Sequence, residues 1–91
     1  MNNDNGQGLM NKYVWVIETI YKHRKLSFRD LNKLWLNDND ISMGVELPKR
    51  TFDNWRYAIG DIFKLDIVNE KKGRYRYYIE NEEELSGNGL T

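Results

Sequence analysis

The side chains best suited to chemistry lie in residues 47–65, LPKRTFDNWRYAIGDIFKL. At the helical step of about 100° per residue, one side of this segment collects Arg50, Asn54, Tyr57 and Asp61. Arginine can bond O6 and N7 of guanine, and asparagine can bond N6 and N7 of adenine. These groups gather toward the N-terminus of the helix, where a recognition helix places its base-reading residues. For this helix alone a solvated polar face is the simpler interpretation, so the neighbouring segments must decide.

The opposite side of the same helix is mostly apolar. It carries Phe52, Arg56, Ile59 and Phe63, with Trp55 and Ile62 beside them. Such a stripe faces the core of a small domain. Pro48 suits the first helical position, because its missing N–H would have no helical partner there. We therefore predict a helix that packs through one side and leaves its polar side free.

Charge is distributed unevenly along the chain. Residues 47–76 contain eight Lys or Arg against four Asp or Glu, although the whole chain is neutral. A basic half between acidic flanks is compatible with a DNA-facing surface. The predicted DNA contacts are Lys49, Arg50, Thr51, Asn54, Tyr57, Lys71, Lys72, Arg74 and Arg76. Arg50 and Asn54 are assigned to base edges. Phosphates, which position the protein without reading sequence, are assigned to Thr51, Tyr57, Lys71, Lys72 and Arg74.

Asp53 introduces a negative charge beside this predicted reading face, where it would repel phosphate. Two interpretations remain open. Its carboxylate could accept from the amino group of cytosine, or it could bond Lys49 one turn earlier. The salt bridge is the favoured alternative, and it would contribute little if exposed.

Other chemistry has little support in the 91 residues. The absence of cysteine rules out a disulfide framework and a thiolate metal site. His23, the single histidine, lies in a basic helix end with no carboxylate or nucleophile near it in sequence. Asp38-Asn39-Asp40 hints at a calcium loop, but Met43 and Lys49 stand where an EF-hand needs Gly and an acid. We expect no enzyme, no catalytic residue, no metal and no cofactor.

The remaining elements can be placed in order. Residues 1–9 are predicted to be disordered, and residues 10–80 form the domain. Its first helix spans about Asn11–His23, and its core stripe consists of Met10, Tyr13, Val14, Ile17, Ile20 and Tyr21. Ser27 caps a second helix, and Leu26 forms a short strand before it. A loop, residues 37–47, precedes the third helix.

Two strands follow the third helix, at residues 66–70 and 74–79. Gly73 suits the left-handed position of a three-residue hairpin loop. Period-two alternation predicts Tyr75, Tyr77 and Ile79 on the core face, with Tyr78 partly buried on the other. Residues 81–91 are predicted to be an acidic tail or linker. The predicted fold class is α+β, a winged helix-turn-helix of three helices and a small antiparallel β-hairpin wing.

The sequence resembles the N-terminal domain of WYL-domain bacterial transcriptional regulators, which are related to DeoR-type repressors. The similarity covers about residues 10–82, and residues 47–52, LPKRTF, are its most specific part. Further matching segments are residues 12–15 (KYVW), 20–21 (IY), 26–28 (LSF), 34–35 (LW) and 77–80 (YYIE), together with Asn54, Arg56, Ala58 and Ile59. The resemblance implies a DNA-binding domain separated from a missing C-terminal WYL domain, which in such regulators binds a ligand or nucleic acid. The long loop before the third helix departs from a tight helix-turn-helix.

Trp15 lies about 160° from Ile17 on the first helix, off the predicted core stripe. A scattered surface apolar residue is the simple interpretation. The alternative is contact with a second copy or with the missing C-terminal domain. A homodimer through Trp15 would set two reading helices about 34 Å apart, one turn of DNA.

Two functions remain after this reading. The first is a sequence-specific, double-stranded DNA-binding domain of a bacterial transcriptional regulator, located in the cytoplasm and not bound to a membrane. The second is a winged-helix module for protein–protein contact without DNA binding. The cations of Lys71, Lys72 and Arg74 favour the first, because a protein-contact wing would carry apolar residues at its tip.

Overall fold

The computed structural model describes residues 5–87, with side chains for residues 8–85. They form a small α+β domain of five helices and a two-stranded antiparallel sheet. The elements in chain order are α1 (Asn5–His23), α2 (Phe28–Asn37), α3 (Asn39–Ser42), α4 (Lys49–Phe63), β1 (Ile67–Asn69), β2 (Tyr77–Ile79) and α5 (Glu83–Gly87). The first four residues of the segment predicted to be disordered lie outside the described residues. Residues 5–9 belong to α1, so that part of the prediction is wrong.

The start of α2 follows from its local sequence. Ser27 accepts a hydrogen bond from the backbone N–H of Asp30 at 3.0 Å, which satisfies one of the unpaired donors of the first turn. Leu26 and Leu31 are both buried, as a hydrophobic staple requires. Leu26 also pairs with Tyr77 through two backbone hydrogen bonds of 3.0 and 2.8 Å. The predicted cap and the short strand at Leu26 are therefore confirmed.

One apolar cluster joins α1, α2, α4 and the sheet. Ile17, Phe52 and Ile59, which helical periodicity assigns to the core, belong to it, and so do Trp35 and Ile67. The rest of its buried members are Tyr13, Val16, Ile20, Leu26, Leu31, Leu47, Leu65, Tyr77, Ile79 and Leu85. The inner side of α4 was thus correctly predicted from its helical period, except at its C-terminal end.

Three residues assigned to the core lie elsewhere. Ile62 of α4 is 50% exposed and Met10 of α1 is also exposed, since the helix ends extend past the apolar cluster. Tyr75 is 60% exposed because its φ of +54° interrupts the extended backbone on which alternation depends. Conversely, Val16 was not assigned to the core stripe of α1 but is fully buried.

Trp15 is not an unpartnered aromatic. Its ring packs edge-to-face on Trp35 at a centroid distance of 5.3 Å, and its Nε1 donates to Asp38 Oδ2 at 3.1 Å. The helical wheel placed Trp15 opposite the main core, but the C-terminal end of α2 covers that side of α1. These contacts remove the reason for a homodimer through this residue.

Two segments predicted to be irregular, the loop before the third helix and the acidic tail, each contain a short helix. α3 lies within the predicted loop, residues 37–47, and ends in left-handed backbone at Met43 and Gly44. α5 lies within the predicted acidic tail, and Leu85 of α5 is buried in the core. The domain therefore continues beyond residue 80, because one apolar side chain fixes the segment that follows β2.

The hairpin is shorter in its strands and longer in its loop than predicted. β1 and β2 pair antiparallel, with Ile67 opposite Ile79 and Asn69 opposite Tyr77. Gly73 has a φ of +79°, so the predicted left-handed glycine is confirmed. Tyr77 and Ile79 are buried and Tyr78 is partly buried, as alternation predicted.

The core position of Phe52 yields a stability prediction. Its side chain is fully buried between Phe28 and Tyr77, at centroid distances of 5.3 and 5.0 Å. Phe52→Ala should lower the free energy of unfolding by about 3–5 kcal/mol in urea denaturation. Ile62→Ala, on the same helix but half exposed, should lower it by less than about 1 kcal/mol. Equal losses would contradict the observed packing of α4.

Candidate nucleic-acid interface

The position of α4 is fixed at its start by two side chains of α2. Asn32 donates from Nδ2 to the carbonyl of Leu47 at 3.2 Å and accepts from the N–H of Leu47 at 3.0 Å. One turn later, Trp35 Nε1 donates to the carbonyl of Val45 at 2.7 Å. α2 thus holds the segment before α4 through backbone groups. Helical spacing of three residues places both side chains on one face of α2.

A second asparagine holds the segment after α4. Asn81 Nδ2 donates to the carbonyl of Lys64, and its Oδ1 accepts from the N–H of Asp66, both at 2.9 Å. Lys64 has a φ of +58° and turns the chain out of the helix. The sequence reading missed Asn32 and Asn81, because each bonds residues about fifteen or more positions away and no local pattern marks such a contact.

The outward face of α4 carries the predicted base-reading residues. Arg50, Asn54 and Asp61 are exposed and Tyr57 is 72% exposed, whereas Thr51 is partly buried. Within residues 8–85, the side chains of Arg50 and Asn54 make no hydrogen bond and no ion pair with another residue. Their polar groups therefore face solvent and are free for a ligand.

The cations on the other side of α4 have partners inside the protein. Lys49 Nζ lies 3.0 Å from Asp53 Oδ2, which confirms the predicted salt bridge. Arg56 donates to Asp53 Oδ1 from Nε at 3.2 Å and from Nη2 at 3.0 Å, and from Nη1 to the carbonyl of Ile67 at 3.0 Å. Asp53 therefore binds two cations and orients them toward the sheet.

These pairs shift the pKa values of their members. Partial burial raises the pKa of Asp53, but hydrogen bonds from Lys49 and Arg56 outweigh it and hold that pKa below its ordinary value. The hydrogen bond to Asp53 also raises the pKa of Lys49. At neutral pH both groups are charged, so Asp53 offsets only one of its two cations and the Lys49, Asp53 and Arg56 cluster keeps one positive charge.

The hairpin loop presents three further cations. Lys71, Lys72 and Arg74 are exposed, and in the described part of the chain none has an ion pair. Gly73 lies between them, and a Cβ there would meet nothing within 4 Å, so its role is its positive φ. The loop tip therefore offers charge on long flexible stems.

Arg76 differs from the other predicted contacts because a carboxylate already engages it. Its Nε and Nη2 lie 3.3 Å from the two oxygens of Glu70, and its backbone N–H donates to Glu70 Oε1 at 3.1 Å. Lys25 Nζ also lies 3.1 Å from Glu70 Oε2. The guanidinium of Arg76 is therefore already engaged within the protein, which gives no support to its predicted role in DNA contact. The ammonium of Lys49 is likewise engaged, by Asp53.

The N-terminal half of α4 and the hairpin loop lie at the same end of the domain. Lys49 Nζ is 5.8 Å from the ring centre of Tyr77, the first residue of β2 after the loop, and the Phe52 ring also packs on it. The other end of α4 is acidic. Asp61, Asp66 and Glu80 line a groove between α4 and β1. The surface charge therefore differs between the two ends of α4, with cations near its N-terminus and carboxylates near its C-terminus.

Other chemistry is not assembled in the described residues. No group of three or more His, Cys, Asp or Glu there could hold a metal ion. Exposed His23 contacts only the Thr19 carbonyl, through Nδ1 at 2.9 Å. None of the helices described is long and apolar enough to cross a bilayer. Comparison of the chain with protein-family models, with curated proteins and with solved structures finds no match.

Asn32 provides a test of how α4 is held. Asn32→Ala should lower the free energy of unfolding by about 1–3 kcal/mol, because the buried N–H and carbonyl of Leu47 lose their partner. Asn54→Ala removes the same amide from the exposed face and should change stability by no more than about 0.5 kcal/mol. Urea denaturation of both variants compares them directly. Similar values would mean that Asn32 does not hold the start of α4.

Glu70 provides a pH-dependent test. Hydrogen bonds from the side chain and backbone of Arg76, and then from Lys25, lower its pKa from an ordinary 4.5 to about 2. A depressed carboxyl pKa stabilises the fold above the unfolded value, and this stabilisation disappears as the pH falls from about 4.5 toward 2. The stability difference between wild type and Glu70→Gln should therefore be largest above pH 5 and shrink on acidification.

Urea denaturation at several pH values measures that difference. Glu46→Gln, which removes an exposed carboxylate from the loop before α4, is the matched control. Its difference from wild type should stay small and nearly constant over the same range. A Glu70→Gln difference that does not change with pH would contradict the role of the ion pairs.

Proposed function

We propose that this domain is a winged helix that binds double-stranded DNA, with α4 in the major groove and the hairpin as a wing on the neighbouring backbone. The observation that carries the proposal is the division of cations around α4. Lys49 and Arg56 are bound by Asp53, whereas Arg50 is exposed beside Asn54 with no internal partner. A solvated surface needs no such sorting, but a reading face needs free donors.

The chemistry of the outward face suits base recognition. Arg50 and Asn54 are one helical turn apart near the start of α4, the part of a recognition helix that contacts base edges. Arginine pairs with guanine and asparagine with adenine through two hydrogen bonds each. Tyr57, further along the same face, is assigned to a phosphate oxygen at the limit of the contact, since it also lines the groove of Asp61, Asp66 and Glu80.

The first turn of α4 adds a site for phosphate. Pro48 precedes the helix and no side chain caps it, nor does the first turn contain an acid. Backbone N–H groups at a helix N-terminus bind anions, and the helix dipole favours a negative charge there. The same end of α4 lies beside the hairpin, whose Lys71, Lys72 and Arg74 can follow the DNA backbone.

The acidic end of α4 supports one orientation. Asp61, Asp66 and Glu80 would repel phosphates if the whole length of α4 lay in the groove. DNA contact is therefore assigned to the N-terminal half of the helix. With the resemblance to WYL-domain regulators, this makes the domain the DNA-reading part of a bacterial transcriptional regulator that acts in the cytoplasm.

The proposal predicts that base-reading and phosphate-binding residues fail differently. Arg50→Ala should cost about 1–3 kcal/mol on the preferred site and relax the preference there. Lys72→Ala should weaken binding to all sequences alike and lower the salt slope by about 1. The measurement is selection from a randomised DNA pool at low salt, followed by titration of the enriched site with each variant.

Lys64→Gly is the matched control for lost charge. It removes a cation from the far end of α4, and glycine accepts the left-handed backbone found there. It should leave both affinity and sequence preference nearly unchanged. If no sequence is enriched and neither Arg50→Ala nor Lys72→Ala alters binding, DNA recognition is excluded and protein contact becomes the alternative.

A further inference from the structure

Glu70 is the acidic residue nearest the predicted DNA-contacting loop in sequence, and its carboxylate is engaged on both oxygens. Arg76 contributes its backbone N–H, Nε and Nη2, at 3.1, 3.3 and 3.3 Å. Lys25 Nζ, from the segment between α1 and α2, lies 3.1 Å away. The carboxylate therefore joins the two sides of the hairpin to each other and to a third part of the chain.

The third part is itself fixed to the sheet. Leu26, the next residue, exchanges two backbone hydrogen bonds with Tyr77, and Lys25 Nζ also lies 5.4 Å from the ring centre of Tyr78. The base of the hairpin thus has a backbone attachment on one side and an ionic attachment through Glu70 on the other. Two attachments fix a direction as well as a position.

The hairpin loop beyond this point has few contacts of its own. Asn69 Nδ2 donates to the carbonyl of Tyr75 at 2.6 Å, and Glu70 N–H donates to the carbonyl of Arg76 at 2.8 Å. Between them, Lys71, Lys72 and Arg74 are exposed. The direction in which these cations project is therefore set by the groups at the base of the loop.

We propose that Glu70 is a positioning residue for DNA binding, which aims the hairpin cations at the DNA backbone by holding Arg76 and Lys25. This inference rests on the proposed function. A negative charge beside a phosphate-binding loop opposes binding by simple electrostatics. The geometric effect of Glu70 outweighs this repulsion.

The two effects of Glu70 have opposite signs, so one substitution separates them. Glu70→Gln removes a negative charge and would tighten DNA binding if charge alone mattered. If Glu70 positions the loop, the same variant binds DNA about three- to fivefold more weakly, on the scale of coupling between neighbouring charged residues. The salt slope should fall by about 1, because a phosphate contact is lost.

Two further variants distinguish position from charge and from folding. Glu80→Gln, at the acidic end of α4, removes the same charge and should not weaken binding. Glu70→Asp keeps the charge but shortens the side chain, so that it cannot reach Arg76 and Lys25 together, and should also weaken binding. If Glu70→Gln fails to fold at the pH of the assay, as judged by circular dichroism, Glu70→Asp decides the question.

A double substitution tests whether Glu70 acts through the loop. Lys72→Ala should have little further effect in a Glu70→Gln background, whereas independent effects would add. Equal or tighter binding by both Glu70 variants, or additive effects, would overturn the inference. Such a failure of the inference differs from a failure of the proposed function. The proposed function fails if wild type selects no DNA sequence and Arg50→Ala and Lys72→Ala bind as wild type does.

Discussion

Tyr77 joins three parts of the molecule that are distant in sequence. Its backbone pairs with Leu26 before α2 and lies opposite Asn69 of β1. Its ring receives the edge of Phe52 at 5.0 Å, and the Arg56 guanidinium lies over it at the same distance. An aromatic ring that contacts both another ring and a cation can fix the orientation of these neighbours as well as their distance. The relation of α4 to the hairpin depends on this residue, together with the hydrogen bond from Arg56 to the carbonyl of Ile67.

The ionic contacts around Tyr77 separate structural charges from free ones. Asp53 and Glu70 each hold two cations against the body of the domain. The positive charges that remain without partners in the described residues include Arg50 on the outward face of α4 and Lys71, Lys72 and Arg74 in the hairpin loop. A chain with no net charge can in this way present a locally basic surface, because each of these two carboxylates faces two cations and ten of the fourteen acids lie outside residues 47–76.

The parts of the fold that depend on local sequence could be predicted. The cap at Ser27 and the exposed positions of Arg50 and Asn54 follow from helix geometry alone. Trp15 could not be placed, because a helical wheel assumes one packing surface and α1 has a second, formed by α2 and Asp38. Tyr75 could not be placed either, since alternation requires an extended backbone and its φ is positive.

The sequence predicted which residues form the candidate site better than it predicted the hydrogen bonds and ion pairs among them. Lys49 and Asp53 are four residues apart, so their pair was visible in the sequence. Asn32 bonds Leu47 and Arg76 bonds Glu70 through contacts that require the tertiary fold or an irregular loop. The polar side chains that fix α4 and the hairpin were therefore invisible to any argument from periodicity.

The tryptophans of this chain form one continuous row. Trp15 packs on Trp35 at a centroid distance of 5.3 Å, and Trp35 packs on Trp55 at 5.7 Å. The exposed aromatic rings near the candidate interface are the tyrosines Tyr57 and Tyr75. The indole signals in fluorescence and near-ultraviolet circular dichroism thus originate in the packed interior, where fixed tertiary packing generates them. They report the integrity of the domain.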